Sequence, residues 1–228
     1  MEIWHIPMRY KRQLSGEFMK KILSVVGEKT LGIFTTVQFL SQLEQLKLFM
    51  EEHGRIPLVG DSNYRALESG QVLGCDITGP KSVEKESEAF VYLGSGMFHP
   101  IALALKTEKR IYIANPLTEE VSLMDAGYRT NYLKRLDDMK KKFSMAKKIG
   151  ILVSIKPGQM QLDLAKKAET KLKEKGRKVY LFYFDTLVPE ELLNFSDIDA
   201  WVNTACPRIA IDDMERFEKP VLNVLEVI

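Results

Sequence analysis

Two cysteines have the most distinctive chemistry in this 228-residue chain. One lies in segment 70–76 (GQVLGCD) as Cys75, and the other lies far along the chain in segment 203–208 (NTACPR) as Cys206. Each segment falls in a predicted loop between an apolar run and the next element, so we expect both thiols to be accessible. Thiolates bind soft metals and iron–sulfur clusters. The alternative for each cysteine taken singly is a buried, inert thiol.

Cys206 is predicted to be the N-cap of a helix, because Pro207 is favoured at a first helical position. The helix dipole and the neighbouring Arg208 would then stabilise its thiolate. Cys75 has no such cap, but Gly74 allows its loop to approach a ligand closely. The sequence has no Cys-x-x-Cys or Cys-x-x-x-Cys pair, so a shared metal site would have to be assembled from distant loops at a domain junction.

A glycine-rich segment, 93–100 (LGSGMFHP), follows a predicted strand and opens a predicted helix. Two glycines and Ser95 allow close approach to a ligand, and exposed N–H groups there favour a carboxylate or a phosphate. A tight turn that needs its glycines for geometry alone explains the segment equally well. His99 stands at the helix start. It is either a neutral imidazole that serves as a hydrogen-bond donor or a ligand, or a structural histidine whose hydrogen bonds satisfy the turn.

The second half has a matching strand-to-helix loop at 155–159 (IKPGQ), and segment 35–38 (TTVQ) is its counterpart in the first half. Their hydroxyl and amide groups can hold a polar small molecule, or they can cap helices. Capping is the preferred interpretation for Thr35. For Gln159, helix capping and ligand binding both remain open. His5 and His53 are interpreted as structural residues.

The elements that must position these loops are predicted to form an α/β fold with two similar parallel-sheet domains and flanking helices. Short β-rich runs alternate with helical patterns, as in βα units. In parallel α/β sheets, ligands bind beyond the carboxyl ends of the strands. The predicted strands cover residues 30–37, 55–60, 89–93, 110–114, 149–155, 178–184, 200–204 and 221–224.

Two helices show one buried stripe each, over residues 39–53 and 161–175, and each stops at a glycine, Gly54 or Gly176. A charge-rich stretch, 118–148, is predicted to be a long helical connector. The domain boundary is placed near residue 143, which gives domains 1–142 and 143–228 with about four strands each. Both halves follow the same plan, which indicates duplicated modules.

Composition excludes several classes of protein. The net charge of +2 lacks the basic excess that direct nucleic-acid binding normally needs. No apolar run approaches the roughly 20 residues of a membrane span, and the first twelve residues are unlike a signal peptide. Two cysteines in a chain of this length do not make a disulfide framework, so we expect a reducing, cytoplasmic location.

Several of these segments, taken together and in order, resemble the diphthamide synthase family, the 2-(3-amino-3-carboxypropyl)histidine synthases. The similarity extends through nearly the whole chain. It rests on segments 70–75 (GQVLGC), 94–100 (GSGMFHP), 156–159 (KPGQ), 205–208 (ACPR) with Asp212 and Asp213, and 219–222 (KPVL).

The resemblance implies three similar α/β domains, each giving one cysteine to a [4Fe–4S] cluster. S-adenosylmethionine would bind the remaining iron and yield a 3-amino-3-carboxypropyl radical that adds to a histidine of translation elongation factor 2. By position, Cys75 resembles the middle-domain ligand and Cys206 the last-domain ligand. The residues expected to line the S-adenosylmethionine pocket are Gln71, Ser95, Gly96, His99, Gln159 and Arg208.

The chain departs from the family at its start, where segment 3–7 (IWHIP) resembles the strand between the first and middle domains. The first domain and its cysteine are therefore expected to be missing. The chain would be a fragment, a subunit completed by another polypeptide, or a divergent member. We expect a homodimer or a heteromer with a chain that supplies the first domain. The alternative function is that of a non-catalytic partner which docks with a complete synthase and supports substrate binding or electron delivery. An unrelated nucleotide-binding module is disfavoured, since no Gly-x-Gly-x-x-Gly follows a strand.

Overall fold

The computed structural model describes residues 6–228, except for the side chain of Ala126. Ile3, Trp4 and His5, which belong to the expected inter-domain strand, lie outside the described residues. The chain divides into two compact units, Met1–Arg129 and Thr130–Ile228. The division falls in the same long helix as the sequence-based boundary at 142/143.

The first unit contains a five-stranded sheet with the order β2-β1-β3-β4-β5, in which β5 alone is antiparallel to its neighbour. Helices α1 and α2 pack on the core face of the sheet, where Ile22, Leu46 and Val91 are fully buried. The elements are α1 (Gly16–Val25), β1 (Thr30–Thr35), α2 (Leu40–Glu52), β2 (Ile56–Leu58), α3 (Thr78–Ser82), β3 (Ala89–Leu93), α4 (Phe98–Ala104), β4 (Ile111–Asn115) and β5 (Glu120–Leu123).

The second unit contains a four-stranded parallel sheet with the order β7-β6-β8-β9. Its core joins α5 and α6 to one face of the sheet through Phe143, Ala168 and Val202. The elements are the end of α5 (Ala126–Met145), β6 (Lys148–Ser154), α6 (Leu162–Glu174), β7 (Lys178–Phe184), β8 (Ala200–Asn203) and β9 (Val221–Asn223). None of the helices within residues 6–228 is long and apolar enough to cross a bilayer.

The predicted α/β class with two mostly parallel sheets is confirmed. Gly54 and Gly176 follow α2 and α6 with φ angles of 75° and 76°, the left-handed conformation in which glycine ends a helix at little cost. The buried stripe expected on α6 is also present, formed by Ala165, Ala168 and Leu172.

One prediction is wrong: residues 118–148 do not form a single helical stretch. A hairpin through Glu119, which has a φ of 55°, returns the chain as β5 beside β4, and α5 begins at Ala126. The error has a physical reason, since β5 is an edge strand whose residues are largely exposed and lack the apolar run of the buried strands.

Candidate functional site

The Cys75 loop lies at the carboxyl edge of the first sheet. The backbone N–H of Thr35 donates to Gly70 O at 2.8 Å, and the N–H of Val72 donates to Thr35 O at 2.8 Å. These bonds pair Gln71 with the last residue of β1 as a parallel bridge. Cys75 follows in an exposed turn and is not part of a disulfide. It lies at the edge where parallel sheets bind ligands.

Asp76 fixes this turn. Its buried carboxylate accepts hydrogen bonds from the hydroxyls of Ser62 (2.5 Å) and Thr78 (2.6 Å) and from the amides of Arg65 (2.6 Å) and Ala66 (2.7 Å). Burial by itself would raise the pKa of the Asp76 carboxyl, but these donors outweigh it and hold the pKa well below its ordinary value. Asp76 is therefore an anion that ties the residues after Cys75 to the loop at 62–66.

The same loop brings a positive charge to the sulfur. Arg65 Nη1 lies 3.7 Å from Cys75 Sγ, while the Arg65 backbone is held by Asp76. A nearby guanidinium favours the thiolate form of a cysteine, which is the form that binds a metal.

The glycine-rich loop after β3 meets the cysteine loop. A Cβ at Gly74 would fall 1.9 Å from the ring of Phe98, the first residue of α4, so this close approach requires glycine. Ser95 and Gly96 are exposed beside it, and Gly96 has a φ of 78°. The structure therefore brings Cys75 and the predicted residues of this loop to one end of the first sheet.

His99 packs against Tyr92, with ring centroids 5.9 Å apart and Nδ1 3.3 Å from the tyrosine hydroxyl oxygen. Burial raises the pKa of Tyr92 and keeps the phenol neutral. Gln71 is largely enclosed, and its Oε1 accepts hydrogen bonds from the amides of Leu67 (3.0 Å) and Glu68 (3.2 Å). Both residues thus have structural contacts in addition to the ligand contacts predicted for them.

In the second unit, Cys206 lies in the loop after β8. It is half-buried and is not part of a disulfide. The side chain of Asn203 holds this loop: its Nδ2 donates to Cys206 O at 2.9 Å and to Asn223 Oδ1 at 2.8 Å, and its Oδ1 accepts from the amide of Ala205 at 3.1 Å. Asn223 in turn donates to Pro207 O at 3.3 Å. The asparagines that end β8 and β9 therefore hold the backbone carbonyls of Cys206 and Pro207.

Cys206 is a helix N-cap, as expected, but the helix is a 3-10 segment of four residues, Pro207–Ala210. A helix so short has a small dipole, so the nearby positive charge comes mainly from Arg208. The guanidinium Nε donates to Asp212 Oδ2 at 2.5 Å. This hydrogen bond raises the pKa of Arg208, with smaller electrostatic contributions from Asp212, Cys206 and Asp213.

Gln159 is exposed in the loop after β6, where Gly158 has a φ of 78°. The Thr204 hydroxyl donates to Leu152 O at 2.8 Å, so β6 and β8 end side by side. Gln159 therefore follows the strand next to the one that precedes Cys206.

The chemistry of each edge suits a thiolate ligand of a metal or cluster. Each unit offers one accessible thiol on a loop fixed by buried polar side chains, with an arginine nearby. Among residues 6–228, no group of three His, Cys, Asp or Glu residues is arranged to hold a metal ion. Cysteine is the usual protein ligand of iron–sulfur clusters, and each unit supplies one such residue.

The residues that fix the two loops were given no role by the sequence. Asp76 is a polar residue in a predicted loop, so nothing indicated its burial. Arg65 and Asn223 lie in other segments, and their contacts depend on the folded chain. Asn203, a short polar residue at the end of a buried strand, carried the one usable signal.

The known proteins that this chain resembles belong to one family. The diphthamide synthesis protein family matches residues 2–228. A 2-(3-amino-3-carboxypropyl)histidine synthase of Pyrococcus horikoshii is 35% identical over 207 residues, covering 89% of this chain and 58% of that protein. Subunit 1 of the same synthase from Caenorhabditis elegans is 29% identical over 203 residues, covering 87% and 50%. The chain thus spans about half to three-fifths of these relatives.

Solved structures agree with the sequence comparison. The crystal structure of Dph2 from P. horikoshii matches with a TM-score of 0.82 at 32% identity, covering 94% of this chain and 61% of that one. The crystal structure of the same protein with a 4Fe-4S cluster matches with a TM-score of 0.80, covering 92% and 60%.

Proposed function

Because this chain belongs to the diphthamide synthesis protein family, we propose that it takes part in the first step of diphthamide biosynthesis. In that step, a 3-amino-3-carboxypropyl group passes from S-adenosylmethionine to a histidine of translation elongation factor 2. The proposal makes the chain all or part of a transferase that acts with one further cysteine-bearing domain, in the same polypeptide or in another.

We assign Cys75 and Cys206 as ligands of a [4Fe–4S] cluster. The observation that carries this assignment is that each unit presents one accessible thiol at the carboxyl edge of its sheet. The cluster found in a structural relative at 32% identity supports it. When bound, the cluster supplies the electron that cleaves a carbon–sulfur bond of S-adenosylmethionine and so generates the transferred radical.

The surrounding residues position the thiolates. Asp76 anchors the turn that carries Cys75, and Arg65 places a donor beside its sulfur. Asn203 sets the backbone of the Cys206 loop. Hydrogen bonds and positive charge near the sulfurs tune the reduction potential of such clusters, so these contacts favour uptake of the electron.

S-adenosylmethionine is proposed to bind beside the cluster. In the first unit, Gln71, Ser95, Gly96 and His99 line the edge next to Cys75. Exposed amides of the Ser95–Gly96 turn suit the carboxylate of the methionine moiety. In the second unit, Gln159 and Arg208 are the corresponding candidates, although the Arg208 guanidinium already binds Asp212.

Anaerobic reconstitution with iron and sulfide tests the proposal. The chain, alone or together with a polypeptide that supplies the first domain, should gain the broad visible absorption of a [4Fe–4S] cluster. After chemical reduction, it should transfer the 3-amino-3-carboxypropyl group to elongation factor 2, detected as a mass increase on a histidine peptide. Cluster uptake without transfer would favour the non-catalytic partner role, and transfer that survives removal of the cluster would contradict the cluster-dependent reaction. Failure to take up a cluster in either preparation would overturn the assignment.

A further inference from the structure

One surface of the second unit is strongly basic. Residues 134–178 contain 15 lysines and arginines against 5 aspartates and glutamates, a net charge of +10. Residues 179–228 contain 3 against 10, a net charge of −7. The near-zero charge of the chain therefore conceals a pronounced separation of charge within this unit.

Nine of the 15 basic residues of this segment lie on two helices, the second half of α5 and α6. The final turns of α5 and the whole of α6 pack on the same face of the sheet, through Phe143 and Leu172. Arg177 joins the two helices, since its Nη1 donates to Phe143 O at 3.0 Å and its guanidinium lies 4.9 Å from the Phe143 ring centroid. The lysines between these buried positions must therefore point to solvent.

Most of these lysines lack a neutralising partner. Lys166, Lys167 and Lys171 are exposed on α6, and across residues 6–228 no carboxylate lies within 4.0 Å of their Nζ atoms. In the acidic segment, Glu190 pairs with Arg216 and Asp212 pairs with Arg208. The three lysines of α6 thus form a local group of positive charge without ion-pair partners.

The face carries two shallow, open depressions. One of about 430 Å³ runs along α6, and a smaller one of about 180 Å³ lies between α5 and α6. The first is lined by Lys166, Lys167 and Lys171 with Glu174, and the second by Lys140, Lys175 and Arg177 with Glu226. Lysines outnumber carboxylates in the first depression by three to one, so it would attract an anionic partner.

We propose that this lysine face, defined by Lys140, Lys166, Lys167, Lys171 and Lys175, docks an acidic surface of the protein substrate. The inference rests on the proposed function, in which that substrate is elongation factor 2. The chemistry of the face disfavours single-stranded RNA as its partner. Single-stranded RNA is bound largely through stacking on aromatic rings and arginine, whereas α6 has no aromatic residue and Arg177 is engaged with backbone carbonyls.

Charge reversal on α6 tests the proposal. The variant K166E/K167E/K171E is compared with K11E/K20E/K85E, which changes the net charge equally at exposed lysines of the first unit. Binding of purified, unmodified elongation factor 2 is measured at low and at physiological ionic strength. The α6 variant should bind about tenfold more weakly at low salt and lose most of its salt dependence. The control should remain within about twofold of the parent.

Circular dichroism checks that the variants are folded. The neutral variant K166Q/K167Q/K171Q is a second control, because it removes the charge without reversing it and should bind with an intermediate affinity. Unchanged binding by the α6 variant, equal loss in the control, or no binding by the parent would overturn the proposal. The proposal would also be overturned if single-stranded RNA displaced elongation factor 2 from the chain. Salt-sensitive self-association of the chain, instead of binding to elongation factor 2, would overturn it as well. Cluster uptake and cleavage of S-adenosylmethionine should be unchanged in both variants. Loss of that chemistry in the parent would count against the proposed function and leave the docking result standing.

Discussion

The hydroxyl of Ser62 donates a hydrogen bond of 2.5 Å to the carboxylate of Asp76. This bond joins the loop at 62–66 to the turn that carries Cys75, and Asp76 is the one aspartate or glutamate that is buried among residues 6–228. The position of the thiol therefore depends on a polar network, in which a charged acceptor is matched by several donors.

Asp76→Asn should destabilise the first unit. An amide in place of the carboxylate leaves buried donors facing an NH2 group, which should cost about 2–3 kcal/mol. Urea unfolding should show a lower midpoint for this variant. Asp185→Asn, at an exposed carboxylate of the second unit, is the control and should behave as the parent. An unchanged midpoint for Asp76→Asn would show that the network does not hold the turn.

Gly74→Ala should disturb the contact between the Cys75 loop and α4. The added methyl group would overlap the ring of Phe98, so we expect a loss of about 1–3 kcal/mol. Gly16→Ala is the matched control, because a Cβ at Gly16 meets no atom within 4 Å. Phe98→Ala removes the ring that the methyl group would overlap, so adding Gly74→Ala to it should cost less than adding Gly74→Ala to the parent. Thermal unfolding of Gly74→Ala, Phe98→Ala, the double variant and Gly16→Ala checks this, and strictly additive effects would argue against direct contact.

Asp199 predicts a pH dependence in the second unit. The amides of Lys148 and Lys147 each donate to its Oδ2 at 2.8 Å, and these hydrogen bonds hold the pKa of the carboxyl below its ordinary value. Its contribution to stability is therefore present above the unfolded pKa of about 3.9 and is lost as pH falls through the lower folded value.

Asp199→Asn keeps an acceptor but does not titrate. Its stability should therefore fall less than that of the parent between about pH 5 and pH 2, as measured by urea midpoints across the range. Parallel curves for the two proteins would rule out this role for the carboxylate.

The strands that carry the site could be predicted from the sequence, because apolar runs such as the one at β3 are buried on both faces. Helix ends were equally clear where a glycine such as Gly54 followed the apolar stripe. β5 was missed since an edge strand need not be apolar. Such signals are local, and they suffice where burial follows residue type.

The loops that carry the candidate site could be predicted from the sequence, but the residues that support them could not. Cys75 and Cys206 were predicted to be ligands from residue type and from their places after apolar runs. The contact of Arg65 with Cys75 and the bond between Asn203 and Asn223 join residues from separate segments. No periodicity or motif encodes such pairs, so they emerge from the folded structure.

The most direct test of the account is the iron and sulfide content of Cys75→Ala and Cys206→Ala after anaerobic reconstitution, in whichever preparation of the parent holds a cluster. Both variants should lose most of their iron while circular dichroism remains that of the parent, because each cysteine lies in a loop outside the apolar cores. Ser95→Ala, at an exposed neighbouring position, should retain its iron. If both cysteine variants hold as much cluster as the parent, the assignment of these thiolates as ligands is contradicted.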